Sequence, residues 1–239
     1  MVIHRSFTRK IVFYKSLSVK ERRVLQREIP FYNKQSSTDQ KLFEHRVAKF
    51  IRKHKFVGHS IEVSAEMKIM VAALAVQLTF GLKNYLYSLF HTIIIYPKAY
   101  RSTQTNQMHK GESNPKLGVL VFSWEDFKEG ISIENDNLNV GLHEFTHGLH
   151  FSFLKNNYGE AARFLKEYKK IIAACNPSLI KEMKEDPYIR AYAFVNAYEL
   201  LSVLIECFFE TPELLKERYA FIYAQLSSML NLDPIKVNV

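Results

Sequence analysis

Five consecutive residues, His143-Glu144-Phe145-Thr146-His147, constrain this chain more tightly than any other stretch. Val140, Leu142, Phe145, Leu149 and Phe151 surround the two histidines. The segment therefore reads as a buried helix over about residues 139–156 rather than a polar loop. Side chains four apart share a helix face, so His143 and His147 present two imidazoles to one point. A polar cluster inside an apolar helix costs free energy unless a partner satisfies it. Either these are core histidines hydrogen-bonded to backbone, or they bind a metal. The second reading also explains Glu144, which stands beside the first ligand. From there its carboxylate can take the proton of a water that zinc has acidified, the chemistry of peptide-bond hydrolysis.

A catalytic zinc needs a third protein ligand and an open position. Asp186-Pro187 is expected to open a helix that runs to about residue 209. On it Tyr192, Asn196, Glu199, Val203 and Glu206 lie three, four or seven apart and form one stripe, while the other faces carry Ala, Phe, Leu and Ile. Glutamate is rarely buried without a partner. Glu199 is the expected third ligand. Glu206 lies about 10 Å further along by helix rise, too far to share the metal easily. It is expected to support the site from behind, paired with a His or Arg. Tyr192, seven residues before Glu199, is placed to donate a hydrogen bond to a developing oxyanion, and Asn196 between them lines the cleft or braces a ligand. His150 shares the face of His143 and His147. Three ligands on one straight helix rarely close a tetrahedron, so His150 is expected to line the cleft or support a ligand. His91 and His109 stand isolated and are read as non-ligands. The expectation is one zinc ion per chain.

The rest of the chain frames this helix. Ser18-Val19-Lys20-Glu21 has the capping-box pattern and should open a short helix ending before Pro30. Ser37-Thr38-Asp39-Gln40 repeats the device for a longer one, broken at Phe56-Val57-Gly58. Ile61-Glu62-Val63 reads as a short extended piece, and Ser64 as the N-cap of a nearly all-apolar helix over about residues 65–80. Residues 89–96 are apolar with β-branched Thr92, Ile93, Ile94 and Ile95 and are closed by Pro97, an internal strand, and residues 117–123 are a second strand. The polar stretch 101–116 between them is expected to be a long surface loop that overhangs the cleft. The strand 117–123 is expected to hold an extended peptide by strand addition. Thr211-Pro212-Glu213 starts a final helix reaching residue 230. Helices dominate, with a small sheet before the motif helix: an α+β fold.

With 47% hydrophobic residues and few Gly or Pro (8 and 7 of 239), the chain can build one core without staples. It reads as a single domain over residues 1–239, with a helical section to residue 60 and a catalytic core after it. The net charge of +9 is concentrated in Lys20, Arg22, Arg23 and Arg27 and in Arg46, Lys49, Arg52, Lys53 and Lys55. These fall at helical spacing among apolar residues, as on solvated helix faces, and no nucleic-acid motif accompanies them. The most apolar stretch, residues 69–82, contains Gln77 and Thr79 and is shorter than the roughly 20 residues of a membrane span. Arg5, Arg9 and Lys10 interrupt the apolar runs at the N-terminus, so no secretory leader is expected. Cys175 and Cys207 show no metal-type spacing, and a reducing cytoplasm suits them.

The run 139–147, with Tyr192-Ala193 and Asn196-Ala197-Tyr198-Glu199 downstream, resembles the Mlc titration factor A family of zinc peptidases. Ile95-Tyr96-Pro97, Ser123-Trp124, Phe208-Phe209 and Pro212-Glu213-Leu214-Leu215 extend the likeness over about residues 30–234. The resemblance implies a zincin-like catalytic domain, distantly similar to that of anthrax lethal factor. It implies zinc on His143, His147 and Glu199, with Glu144 as base and Tyr192 assisting. At position 150 the family usually carries Asp where this chain has His, which puts that acid's supporting role in doubt here. The family's namesake is an aminopeptidase that binds a glucose-responsive transcriptional repressor, traits the zinc motif does not encode. The expected function is therefore a zinc metallopeptidase acting on peptides or proteins. The alternative is a regulatory protein that sequesters a transcriptional repressor or other partner, with zinc mainly structural.

Overall fold

A computed structural model describes residues 17–236, and the leader expectation at residues 5–10 lies outside them. The chain opens with α1 (Val19–Glu28), the short α2 (Pro30–Asn33) and α3 (Ser37–Lys53). Ser18 and Glu21 form the expected capping box of α1. The cap of α3 is Ser36, one residue before the run that suggested it, with its hydroxyl accepting from Asp39 N. Lys55–Gly58, expected only to break a helix, is the strand β1. After it comes α4 (Ala65–Leu78), capped by Ser64 and buried along most of its length. The strand β2 (Thr92–Tyr96) lies between β1 and the later β6, both parallel to it, as an internal strand should.

The polar stretch 101–116 is not one loop. It holds most of a small hairpin, with two-residue strands β3 (Tyr100–Arg101) and β4 (Met108–His109), and then β5 (Gly111–Asn114). β5 runs antiparallel to β6 (Val119–Ser123), giving the sheet order β1-β2-β6-β5. Its residues are polar as suits an edge strand, which among the described residues is paired on one side only. Both sides of β6 are paired, so the strand expected to receive a peptide is closed to one.

Ser123 caps α5 (Trp124–Ser132), and Asn139 caps the motif helix α6 (Val140–Lys155). Phe122 and Phe145 bring β6 and α6 together, their ring centroids 5.3 Å apart. Gly141 lets α6 approach α4 and α5 closely: a Cβ there would stand 2.5 Å from Leu74 Cδ1 and 2.7 Å from Phe127 Cε2. α7 (Glu160–Ala174) and α8 (Pro177–Glu185) follow, then a single 3-10 turn (Ala191–Phe194) and α9 (Ala197–Glu210). The expected continuous helix over 187–209 is thus two pieces, separated at Asn196 (φ −164°). The last helix is also divided, into α10 (Pro212–Arg218) and α11 (Ala220–Leu230). Tyr219 between them is buried and donates its hydroxyl to Asp186.

One apolar core runs from Leu17 to Leu230 and takes in the buried residues of α1 and α3. Several of the basic residues are engaged rather than merely solvated. Arg22 forks onto the buried Glu44, and Arg46 reaches the Thr79 and Phe80 carbonyls across the Tyr85 ring. Among the described residues no helix is long and apolar enough to cross a membrane.

Candidate metal centre

α6 and α9 pack side by side, and the motif lies at their contact. His143 and His147, one turn apart on α6, bring their Nε2 atoms to 3.2 Å. From α9 a Glu199 carboxylate oxygen stands 2.8 Å from His143 Nε2 and 3.3 Å from His147 Nε2. Ligand atoms of these three residues all lie within 4.8 Å of one another. Their side chains keep 9–15% of their surface exposed, so the cluster opens to solvent on one side.

Asn196 brings Glu199 to this point. It is the N-cap of α9, and its Oδ1 accepts from the Tyr198 and Glu199 amides at 2.8 and 3.0 Å. Glu199 therefore sits in the first turn, where the helix dipole favours a carboxylate. Asn196 acts at the end of the helix rather than on its cleft-facing stripe. Tyr192 also lies off α9, on the 3-10 turn. Its ring centroid is still 5.8 Å from that of His143, and half of the residue is exposed. No continuous helix links Tyr192 to Glu199, and it is the turn that brings the tyrosine beside His143.

Two turns beyond Glu199, Glu206 meets the other edge of the same imidazole, its Oε1 2.7 Å from His143 Nδ1. Arg190 forks onto Glu206 at 2.6 and 2.9 Å, and the Asn139 amide donates to it at 2.7 Å. The sequence suggested a His or Arg partner for Glu206, and it has both. This geometry orients His143: with its proton on Nδ1 facing Glu206, Nε2 is free to bind a metal. Burial works against a charge on His143. Its hydrogen bonds to Glu199 and Glu206 outweigh that and push its pKa up to about 10 without metal. Burial likewise opposes ionisation of Glu199, but its bonds to His143 and His147 hold the carboxyl well below the usual carboxylate range.

Glu144 is buried and turned toward the sheet. Its side chain lies against Gly111 of β5, where a Cβ would stand 2.6 Å from Glu144 Cγ and 2.9 Å from Oε1. Ser113 Oγ donates to the Glu144 carbonyl at 2.9 Å. Ser123 N bonds to Lys110 O. By the alternation of an antiparallel ladder, Lys110, Glu112 and Asn114 face β6, while Gly111 and Ser113 turn their backbone N–H and C=O to the open edge. Burial raises the Tyr192 hydroxyl's pKa, and the charges of Glu199 and Glu144 add to this, keeping it a proton donor.

His150 is outside the cluster. It is buried between Tyr168 and Tyr198, with ring centroids 4.5 and 5.2 Å away, and burial lowers its pKa to about 4. His91 and His109 bond instead to Thr92 and Thr105. The residues that sequence reasoning missed are Gly111, Ser113, Asn139 and Arg190. A lone glycine in a short polar run was the available signal for Gly111, since strand glycines mark close approach.

The sequence profile of the family described as glucose-regulated metallo-peptidase M90 matches residues 4–230. An uncharacterized protein of Synechocystis sp. is 24% identical, over 95% of this chain and 88% of its own length. Mlc titration factor A of Edwardsiella ictaluri is 27% identical, with 62% of each chain covered. That of Yersinia pestis is 26% identical over 61% of this chain and 60% of its own. The chain thus spans about three fifths of the length of the Mlc titration factors it matches.

Proposed function

Because the chain belongs to the glucose-regulated metallo-peptidase M90 family, we propose that it is a zinc-dependent peptidase with a zincin-like catalytic domain. One observation carries the reading: three donor side chains from two helices converge within 4.8 Å, and Glu206 fixes the ring of the first. Two imidazoles and a carboxylate are a donor set that suits zinc in a hydrolase. His143, His147 and Glu199 would hold it, and zinc when bound supplies Lewis acidity to a water and to the scissile carbonyl.

The protein's own residues do the rest. An extended peptide pairs with the open edge of β5 through the backbone of Gly111 and Ser113, which brings a peptide carbonyl alongside Glu144. The Glu144 carboxylate accepts the proton of the attacking water and passes it to the departing amine. The Tyr192 hydroxyl donates to the carbonyl oxygen as negative charge grows there. The substrate is a peptide or protein, and the setting is cytoplasmic, where two free cysteines are stable.

The relatives' name, Mlc titration factor A, supports adding a transcriptional regulator as a partner. A regulator that only sequesters, with zinc structural, leaves unexplained why Glu144 is held against an open strand edge. The test is zinc content and peptide turnover of wild type, Glu144→Gln and Glu199→Ala. The peptidase reading expects one zinc per wild-type chain, turnover lost with zinc kept in Glu144→Gln, and zinc sharply weakened in Glu199→Ala. Full turnover by Glu144→Gln refutes it.

A further inference from the structure

We infer that Arg190 is a positioning residue for the metal ligand His143, acting through Glu206; the inference rests on the zinc reading of the site. A histidine offers Nε2 to a metal only when its proton is kept on Nδ1, and the group facing Nδ1 sets both tautomer and ring angle. Here that group is Glu206, 1% exposed. A carboxylate so buried needs its own orientation fixed. The Arg190 fork does this by binding both oxygens, Nη2 to Oε1 at 2.6 Å and Nη1 to Oε2 at 2.9 Å. His143 and Arg190 thus converge on Oε1, while the Asn139 backbone N–H and Arg190 converge on Oε2. Arg190 Nη2 also stands 3.3 Å from His143 Nδ1, but two donors cannot bond each other, so with the proton on Nδ1 the arginine acts on the ring through the carboxylate.

Arg190 Nη1 also donates to the Asn137 carbonyl at 2.5 Å. Asn137 is in the left-handed region (φ +57°), a conformation asparagine tolerates, two residues before the cap of α6. One guanidinium therefore ties the entry of α6 to the Glu206 of α9. Its own backbone leads two residues later to Tyr192, whose ring centroid lies 5.9 Å from the guanidinium carbon. A lysine could supply the charge but not the fork.

The experiment is the zinc dissociation constant, by chelator competition, of wild type, Arg190→Gln, Arg190→Lys, Glu206→Gln and the double variant Arg190→Gln/Glu206→Gln. Circular dichroism and melting are recorded alongside. Arg190→Gln is expected to weaken zinc about tenfold, the low end of the range for groups behind a ligand, and Arg190→Lys to recover part of that. The double variant is expected to match Glu206→Gln, because the arginine acts through the carboxylate. A folded Arg190→Gln with the wild-type constant overturns the inference. So does a double variant weaker than Glu206→Gln by the full factor, and that comparison holds if the single variant fails to fold. Wild type that takes up no zinc overturns the zinc reading and this inference together, so the two failures are distinguishable.

Discussion

Replacing Gly111 by alanine tests the contact between the edge strand and the proposed base. The added methyl would lie 2.6 Å from Glu144 Cγ, 2.8 Å from Val140 Cγ2 and 2.9 Å from Glu144 Oε1, where ordinary contact begins near 3.4 Å. The backbone at Gly111 is outside the left-handed region, so alanine adopts it freely and the clash is the whole effect. The Val140 side chain and the Glu144 side chain must both give way, Glu144 by roughly 0.5–1 Å. Misplacing a catalytic group by about 1 Å costs about 100-fold, so kcat should fall about 10- to 100-fold. The open-edge backbone is unchanged, so KM should stay near its wild-type value. Zinc content should also hold, since Glu144 is not among the three clustered donors. Overpacking should lower stability by about 1–3 kcal/mol. The assay is steady-state turnover on a peptide substrate beside metal analysis and urea melts. A folded, zinc-loaded Gly111→Ala with wild-type kcat would refute the placement of Glu144 as the base.

Three further outcomes follow from the same geometry. Tyr192→Phe should keep zinc and lose about 10- to 100-fold in kcat, and unchanged turnover in steady-state assays would remove the tyrosine from the mechanism. Zinc binding at pH 7 should release about one proton per ion, because the metal displaces the proton that Glu199 and Glu206 hold on His143 up to about pH 10; calorimetry in buffers of different ionisation heat reads this directly, and no release would refute it. Burial raises the Glu210 carboxyl from its ordinary 4.5 to about 8, with Asp136 and Glu206 adding to this and the Asn139 hydrogen bond opposing it. Its folded pKa is the higher one, so its contribution to stability is complete below about pH 4.5 and is lost as pH rises through about 8. At about 1.4 kcal/mol per pH unit the ceiling is near 5 kcal/mol, and partial solvent access reduces the expected gain for Glu210→Gln at pH 8 to about 2 kcal/mol. Urea melts from pH 5 to 9 should show wild type losing more stability than the variant as pH rises, the difference being the Glu210 contribution, and equal slopes would count against the shift.

What the sequence determined by itself is what depends on neighbours along the chain. Two histidines four apart on an apolar helix meet on one face whatever surrounds them, and Ser18 and Ser64 cap helices with their own side chains. The internal strand at 92–96 followed equally from its unbroken run of β-branched residues. Pairing between distant segments was not legible in this way. Gly111–Asn114 is polar like a loop, and only its ladder with β6 makes it a strand. Tyr192 comes to His143 on a 3-10 turn that no periodicity announces, and Arg190 meets Glu206 and Asn137 only because α9 packs on α6. Periodicity records which face of a helix is buried, but not which distant backbone lies against it. That is decided when the core closes and every buried carboxylate must find its donors.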